Sequence, residues 1–377
     1  MLISLLLAVC AFSHAQEHIV GRVVDAKTGE PLPFASIYVN GENSTISNAD
    51  GEFCVDIEST DSLRFTYVGY KTLCLDAPKV GATVGMQADD HTLSEVTVMG
   101  TQLIVKNTRK RMSKEYRKHK KDECNFFYRQ TSYCDGQCNS FLESFFSGQS
   151  AVQIRKLSLV TGRYVSLASS LTANPLNFYT FAQVPVYNKW KPTIVEQLVP
   201  LCDDYESRYK TTSQVVSDGE RTVFRIDFHP RNTNRWAVKG SLYVDASTFE
   251  LLKFEGKGQR DIVKHKVRGL TKVLLPDYSF VVNYTHDHGF TEVESVYFKT
   301  HFDFINRSFD TSGIMYNVGE RYIKGRDKME FGDNLPQTIR DHGIDRDFWR
   351  DNEVVKRTPI EESALELFEH DNLIGVF

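Results

Sequence analysis

Between Gly21 and Tyr70 the chain is cut by turns so often that no element there can run longer than a few residues. Thr28-Gly29-Glu30-Pro31-Leu32-Pro33 cannot continue a strand, because the glycine is conformationally permissive and the prolines fix φ and remove donors. Asn48-Ala49-Asp50-Gly51 combines local side-chain hydrogen bonding with tolerance of positive φ. Between the turns, alternation and β-branched residues predict strands at His18 to Asp25, Phe34 to Val39, Thr45 to Ser47, Glu52 to Ile57, Ser62 to Val68, Tyr70 to Leu75 and Thr83 to Met86. Ala35, Ile37 and Val39 share one face of the second. Seven short strands at this spacing predict an antiparallel sandwich.

The motifs are specific. Gly21-x-Val23-x-Asp25, Thr28-Gly29-Glu30-Pro31-Leu32-Pro33, Ala35-Ser36-Ile37-x-Val39, Asp50-Gly51-x-Phe53, Leu63-x-Phe65 and Tyr67-Val68-Gly69-Tyr70 follow in order. Together they resemble the carboxypeptidase regulatory-like domain, a transthyretin-like sandwich at the front of many exported Bacteroidetes proteins. Leu93-Ser94-Glu95-Val96-Thr97-Val98 is similar to the segment that follows this domain in outer-membrane receptors that import glycans. The 377 residues leave no room for the large barrel of those receptors. The resemblance implies a periplasmic or outer-membrane-associated protein with an envelope-protein or glycan partner. It implies no peptidase. A zinc carboxypeptidase needs His-x-x-Glu and a distant histidine around an open coordination position, and the His-x-x-Glu here runs from His14 to Glu17, across the expected cleavage site.

Residues 1–15 read as a signal peptide. The run from Leu2 to Phe12 is apolar but too short to span a bilayer, and Ser13-His14-Ala15 ends it with small residues, although no Lys or Arg precedes the run. Val9 before Cys10 argues against a lipoprotein signal. No later run is long and apolar enough for a transmembrane helix. Removal of Cys10 leaves Cys54, Cys74, Cys124, Cys134, Cys138 and Cys202, an even number in an exported chain. Cys54 and Cys74 form either a disulfide, which would close a loop of about 20 residues and contribute about 3 kcal/mol, or two small buried thiols. Cys134 and Cys138 flank a turn at Asp135-Gly136-Gln137, at a spacing that does not suit a zinc knuckle.

From Ile104 to Glu123 there is no Gly or Pro, which predicts a helix with a narrow apolar stripe of Val105, Met112 and Tyr116. Lys106, Arg109, Lys110, Arg111, Lys114, Arg117, Lys118, Lys120 and Lys121 accompany a single acid, Glu115, for a local charge of +8. For an exported protein the acidic target of such a run is an anionic membrane surface or lipid rather than nucleic acid. The alternative is a solvated helix packed by one edge, against the acidic tail, where 13 acids and 6 bases lie between Asp327 and Phe377.

Aromatic content of 12%, with 25 Phe and 17 Tyr, leans the remainder towards strands. They are predicted at Asn125 to Ser132, Ser140 to Phe146, Arg221 to Phe228, Gly240 to Asp245, Leu251 to Glu255, Lys266 to Leu275, Tyr278 to Thr285 and Thr291 to Ile305. Ala246-Ser247-Thr248-Phe249 reads as a hairpin turn, and four prolines break the stretch from Leu171 to Pro200. Val223 to Pro230, Gly240 to Asp245, Thr248 and Leu251-Leu252-Lys253 resemble periplasmic lipoprotein carriers, in which a half-barrel wraps an apolar cavity. Near the end, Thr358-Pro359-Ile360-Glu361 is a capping box opening a helix whose apolar stripe is Ile360, Ala364, Leu367 and Phe368. His286 and His288 would share a face on a strand and could hold a metal, but Gly289 marks a hairpin tip where polar side chains are solvated.

The chain is therefore expected to be mostly β. Its parts are a signal peptide (1–15), a seven-stranded antiparallel sandwich (16–88), a linker and basic helix (89–123), a large curved antiparallel sheet or half-barrel with a few helices (124–355), and a C-terminal helix and tail (356–377). No catalytic, cofactor-binding or metal-binding residue is assigned. The expected role is non-enzymatic, binding or scaffolding through the sandwich. A carrier of a lipid or other apolar ligand in the C-terminal half-barrel is the alternative, and an enzyme of unrecognised type the second.

Overall fold

The structure, a computed structural model, describes residues 17–89, 100–166, 182–184, 200–201, 205–218, 221–231, 238–258, 277–304, 306–318, 322–330, 333–343, 345–350, 355–359, 361–362 and 366. The expected signal peptide, the 93–98 segment, Cys202, the strand expected at 266–275 and the expected stripe of Ile360, Ala364, Leu367 and Phe368 lie outside them, as does most of 171–200. The chain forms two compact units, Met1–Ala88 and Asp89–Phe377.

All seven expected strands of the front unit form: β1 (Glu17–Asp25), β2 (Ser36–Val39), β3 (Glu42–Ile46), β4 (Glu52–Ile57), β5 (Ser62–Thr66), β6 (Leu73–Asp76) and β7 (Thr83–Met86). They make two sheets, ordered β4-β1-β7 and β3-β2-β5-β6. Alternation points Val23, Phe53, Val55, Ile57, Val84 and Met86 from one sheet, and Ile37, Leu63 and Phe65 from the other, into one core. The Phe53 and Phe65 rings meet edge-on with centroids 5.5 Å apart. One expectation is corrected: β7 pairs with β1 in parallel. The chain leaves β6 in one sheet, passes the short helical turn Ala77–Lys79 and enters the other, so β7 is not hairpin-linked to its neighbour.

Gly51, at φ +77°, shows why its turn is specified so tightly. A Cβ there would lie 2.6 Å from the Val23 carbonyl oxygen. Asn48 Oδ1 accepts from the Asp50 and Glu52 amides, both at 2.9 Å.

The larger unit is built on an open antiparallel sheet. Its strands are β8 (Cys124–Cys134), β9 (Gln137–Gln149), β10 (Arg155–Ser166), β11 (Tyr209–Asp218), β12 (Arg221–Pro230), β13 (Val238–Asp245), β14 (Leu251–Gly258), β15 (Asp277–Thr285), β16 (Glu292–Phe304), β17 (Arg307–Asn317) and β18 (Asp327–Lys328). The order is β11-β12-β13-β14-β15-β16-β17-β8-β9-β10-β18. A meander of seven consecutive strands is thus extended by an earlier three-stranded meander beside β17. The β8–β9 turn has Asp135 and Gly136 at φ +52° and +80°, the two-residue geometry that an Asp-Gly pair favours.

The same turn is built twice in the chain. Asp25 Oδ1 accepts from the amides of Lys27 and Thr28 at 2.8 Å, and Asp245 Oδ1 accepts from those of Ser247 and Thr248 at 2.8 Å. Each aspartate carbonyl then accepts an amide four residues on, from Gly29 or Phe249. Both turns read Asp-Ala-x-Thr-x-Glu, and Phe249 takes a φ of +58° where Gly29 takes +73°.

Helix α1 (Thr101–His119) packs Ile104, Val105 and Met112 into the main core, with Phe228, Phe254, Phe280, Val296 and Met315 of the sheet. A one-turn helix, α2 (Tyr205–Arg208), precedes β11. Helix α3 (Leu335–His342) lies on the same sheet face as this core, where a Cβ on Gly162 would meet Ile339 at 2.5 Å. Helix α4 (Arg346–Arg350) lies on the opposite face, with Phe348 and Trp349 against Phe145 at 4.7 and 5.4 Å. The C-terminal segment therefore straddles the sheet, and β8 and β9 are buried on both faces over most of their length.

Candidate functional site

Helix α1 carries the expected basic run, and its wheel separates two opposite arcs. At 100° per residue, the buried Ile104, Val105, Thr108, Met112 and Glu115 cluster on one side. Lys106, Lys110, Lys114, Arg117 and Lys118 cluster on the other and are exposed, as are Lys120 and Lys121 just past the helix end. Arg109 and Arg111 sit at the borders, half-buried. The helix starts three residues earlier than expected and ends at His119, and the acid among its bases faces inward.

That acid anchors the helix. Arg111 Nε lies 2.8 Å from Glu115 Oε1, its Nη1 donates to the Thr248 carbonyl at 3.1 Å, and its Nη2 pairs with Glu250. The Thr291 amide donates to Glu115 Oε2 at 3.2 Å. Arg111 and Glu115 thus tie α1 to the β13–β14 and β15–β16 turns, with the Arg111 guanidinium engaged by carboxylates of the fold. The lysines of the basic run have no carboxylate within ion-pair distance among the described residues. The helix's outer charge is consequently not neutralised within the described part of the fold.

His286 to Gly289 form the turn between β15 and β16, with Gly289 at φ +78°. His286 Nε2 lies 3.1 Å from Thr291 Oγ1, and burial pushes its pKa down, so the ring is neutral at physiological pH. His288 pairs instead with Glu292. The two imidazoles have different partners.

Cys54 and Cys74 stand on different sheets. Cys54 alternates with the inward Phe53 and Val55, and Cys74 with the inward Leu73 and Leu75, so each points away from the core on its own side. That placement does not bring the two sulfurs together. Cys124, Cys134 and Cys138 are free thiols, and burial pushes Cys124 and Cys138 up to about 12. Such thiols carry almost no thiolate at neutral pH.

The strongest electrostatic feature is not among the residues singled out from the sequence. Glu143 is buried among three arginines on adjacent strands and the C-terminal segment. Arg129 Nε donates to Glu143 Oε1 at 2.7 Å, Arg163 Nε donates to Oε2 at 2.7 Å, and Arg357 Nη2 reaches Oε2 at 3.4 Å. Burial pushes the carboxyl's pKa up, and the Arg129, Arg357 and Arg163 charges more than reverse this, holding it at about 2. Arg129 also donates to the carbonyls of Val355 and Lys356 at 2.7 and 3.2 Å. Thr131 Oγ1 donates to Glu361 at 3.1 Å. Glu361 closes the expected capping box, accepting from the Thr358 amide at 2.8 Å while its own amide donates to Thr358 Oγ1 at 3.3 Å. A carboxylate this acidic and fully engaged cannot serve as a base near neutrality. The cluster staples Val355, Lys356, Arg357 and Glu361 to β8 and β9. Its one sequence signal is an arginine in the middle of the aromatic strand Phe126-Phe127-Tyr128-Arg129, where both faces end up covered.

In the front unit, Asp25 is held below the usual carboxylate range by the Thr28 amide, the Tyr70 hydroxyl and the Lys27 amide. The Tyr70 hydroxyl donates to Asp25 Oδ2 at 2.9 Å, which ties the first expected turn to the Tyr67-Val68-Gly69-Tyr70 motif.

Residues 19–98 match the family model of the CarboxypepD_reg-like domain. The match takes in the front sandwich from the third residue of β1 onward and ends before α1. No curated protein matches the chain. Among solved structures, the chain is similar to a putative outer membrane lipoprotein-sorting protein domain from Vibrio parahaemolyticus, at 10% identity over 62% of this chain and 99% of that one, with a TM-score of 0.28. It is also similar to a DUF1329 family protein from Desulfovibrio piger (9% identity, 58% and 95% covered, TM-score 0.25) and a LolA superfamily protein from Nitrosomonas europaea (10%, 67% and 100%, 0.24). TM-scores this low mark a partial likeness and say nothing of what this chain binds.

Proposed function

We propose that the protein is an exported, non-enzymatic component of the cell envelope that works by binding a partner, with the front sandwich as recognition module and the eleven-stranded unit as scaffold. The observation that carries this reading is the self-contained CarboxypepD_reg-like sandwich, with its own closed core, at the front of the chain. Four chemistry-bearing side chains among the described residues of the larger unit support it, because each has a structural partner. Glu143 holds the C-terminal segment, Glu115 holds α1, and His286 and His288 hold a turn. The aromatics on the core face of the sheet touch one another, with ring centroids 5.7 Å apart for Phe228 and Phe254 and 4.8 Å for Phe254 and Phe280. The same rings share one buried cluster with Ile104, Val105 and Met112 of α1, which supports a packed core over a lined cavity.

The test is native mass spectrometry on protein taken from its own envelope fraction, beside the same sample denatured. No bound mass of lipid size is expected. A mass of that size lost on denaturation would replace this reading with the carrier. The denatured mass also reports cleavage after Ala15.

A further inference from the structure

We infer that the outer face of α1, with the neighbouring Tyr322–Arg326 segment, is a docking surface for the phosphate-bearing head groups of an anionic bilayer. Leu103, Lys106, Lys110, Lys114, Arg117 and Lys118 follow one stripe of the helix, opposite its buried arc. From Leu103 to Lys118 that stripe is about 22 Å long at 1.5 Å per residue. No described carboxylate pairs with its lysines, while the helix's one acid is turned inward. A stripe of one sign without carboxylate partners among the described residues presents its charge to an external anion.

The apolar residues favour a lipid surface over a duplex phosphate backbone. Four large hydrophobic side chains are exposed among the described residues: Val20, Leu103, Tyr322 and Ile323. Val20 belongs to the front unit. The other three lie at the two ends of the basic helix. Leu103, 46% exposed, is in its first turn. Tyr322 and Ile323, 44% and 37% exposed, sit by the chain just past its last turn, where the Tyr322 hydroxyl donates to Glu123 Oε2 at 2.7 Å. Asn125 clamps Ile323 from both sides, donating to its carbonyl at 2.7 Å and accepting its amide at 2.5 Å. Lys324 and Arg326 follow, both exposed. The segment is therefore fixed in place with its apolar and basic side chains outward. Basic charge flanked by an aromatic and branched aliphatics is the composition of a surface that rests in the head-group layer. A phosphate backbone rewards only the charge.

The test uses the full mature chain in sedimentation with vesicles of phosphatidylcholine alone and of phosphatidylcholine with phosphatidylglycerol. Binding to the anionic vesicles only is expected, weakening as salt rises. At about fivefold in affinity per basic side chain near such a surface, the combined Lys106→Gln, Lys110→Gln, Lys114→Gln and Lys118→Gln chain loses about 100-fold or more. A control with Lys27→Gln, Lys71→Gln, Lys239→Gln and Lys257→Gln removes the same charge from exposed positions elsewhere and keeps its affinity. Tyr322→Ser with Ile323→Ser weakens binding while leaving its salt dependence unchanged. All these positions are exposed, so each variant keeps the parent melting temperature. Equal losses in the stripe and control variants would overturn the inference, as would equal binding to both vesicle types. Binding to duplex DNA as tight as to anionic vesicles at the same salt would overturn it in favour of nucleic acid.

Discussion

Glu143→Gln tests the most consequential packing feature of the larger unit. The substitution keeps the shape of the side chain and removes its charge, so that Arg129, itself 3% exposed, loses its 2.7 Å ionic partner and keeps Glu361 at 3.5 Å. Breaking one partner out of a buried ion pair costs about 3–5 kcal/mol, because the other charge stays buried. The depressed carboxyl pKa, set by the same arginine charges, gives a figure of the same order. The carboxyl falls from its ordinary 4.5 to about 2 on folding. At about 1.4 kcal/mol per pH step, that is about 3 kcal/mol. Because the folded pKa is the depressed one, this stability is complete above about 4.5 and is lost as pH falls towards about 2. Urea unfolding followed by tryptophan fluorescence isolates the effect, since Trp190, Trp236 and Trp349 all lie in the larger unit. The variant should unfold at pH 7 with about 3–5 kcal/mol less stability, and the gap from the parent should shrink by about 2 kcal/mol at pH 3. A loss below about 1 kcal/mol at pH 7, or a gap that ignores pH, would refute a stapling role for the ionised carboxylate.

Gly51→Ala forces a side chain into left-handed backbone and against the Val23 carbonyl, so calorimetry should show the front unit's transition weakened by about 2 kcal/mol or more, with the other transition unchanged. Arg111→Ala strands Glu115 and Glu250 and should cost the larger unit about 2 kcal/mol by the same urea assay. His286→Ala and His288→Ala should cost about 1 kcal/mol or less through their turn contacts and leave the fold and phenotype intact, whereas a phenotype lost with the fold preserved would bring back the enzyme reading. At neutral pH the exposed Cys74 should react with a thiol reagent quickly, and Cys124 and Cys138 slowly, and replacing all six mature cysteines by Ser should leave a folded, active protein.

Local chemistry makes much of the protein legible in its sequence. The seven front strands lie where Gly, Pro, Asn and Asp interrupt the alternation, because those residues fix backbone torsions within a few positions of themselves. The β8–β9 turn at Asp135-Gly136, the β15–β16 turn at Gly289 and the Thr358–Glu361 capping box are local in the same sense, and each stands where its residues predict. The repeated Asp-Ala-x-Thr-x-Glu pattern is equally local, although only the matching hydrogen bonds of its two copies mark it as one kind of turn. What tertiary structure alone decides are the meetings of residues far apart in the chain. The parallel β1–β7 pair depends on a crossing between sheets, and the place of β8 beside β17 on a closure over nearly 200 residues. Glu143 gathers arginines from positions 129, 163 and 357, and nothing local to any of them announces the others. The basic helix divides along the same line. Its charge is written in the sequence, but which bases face outward depends on where Ile104, Val105 and Met112 find the sheet, because burial of that stripe fixes the rotation of the helix and leaves the opposite arc to the solvent.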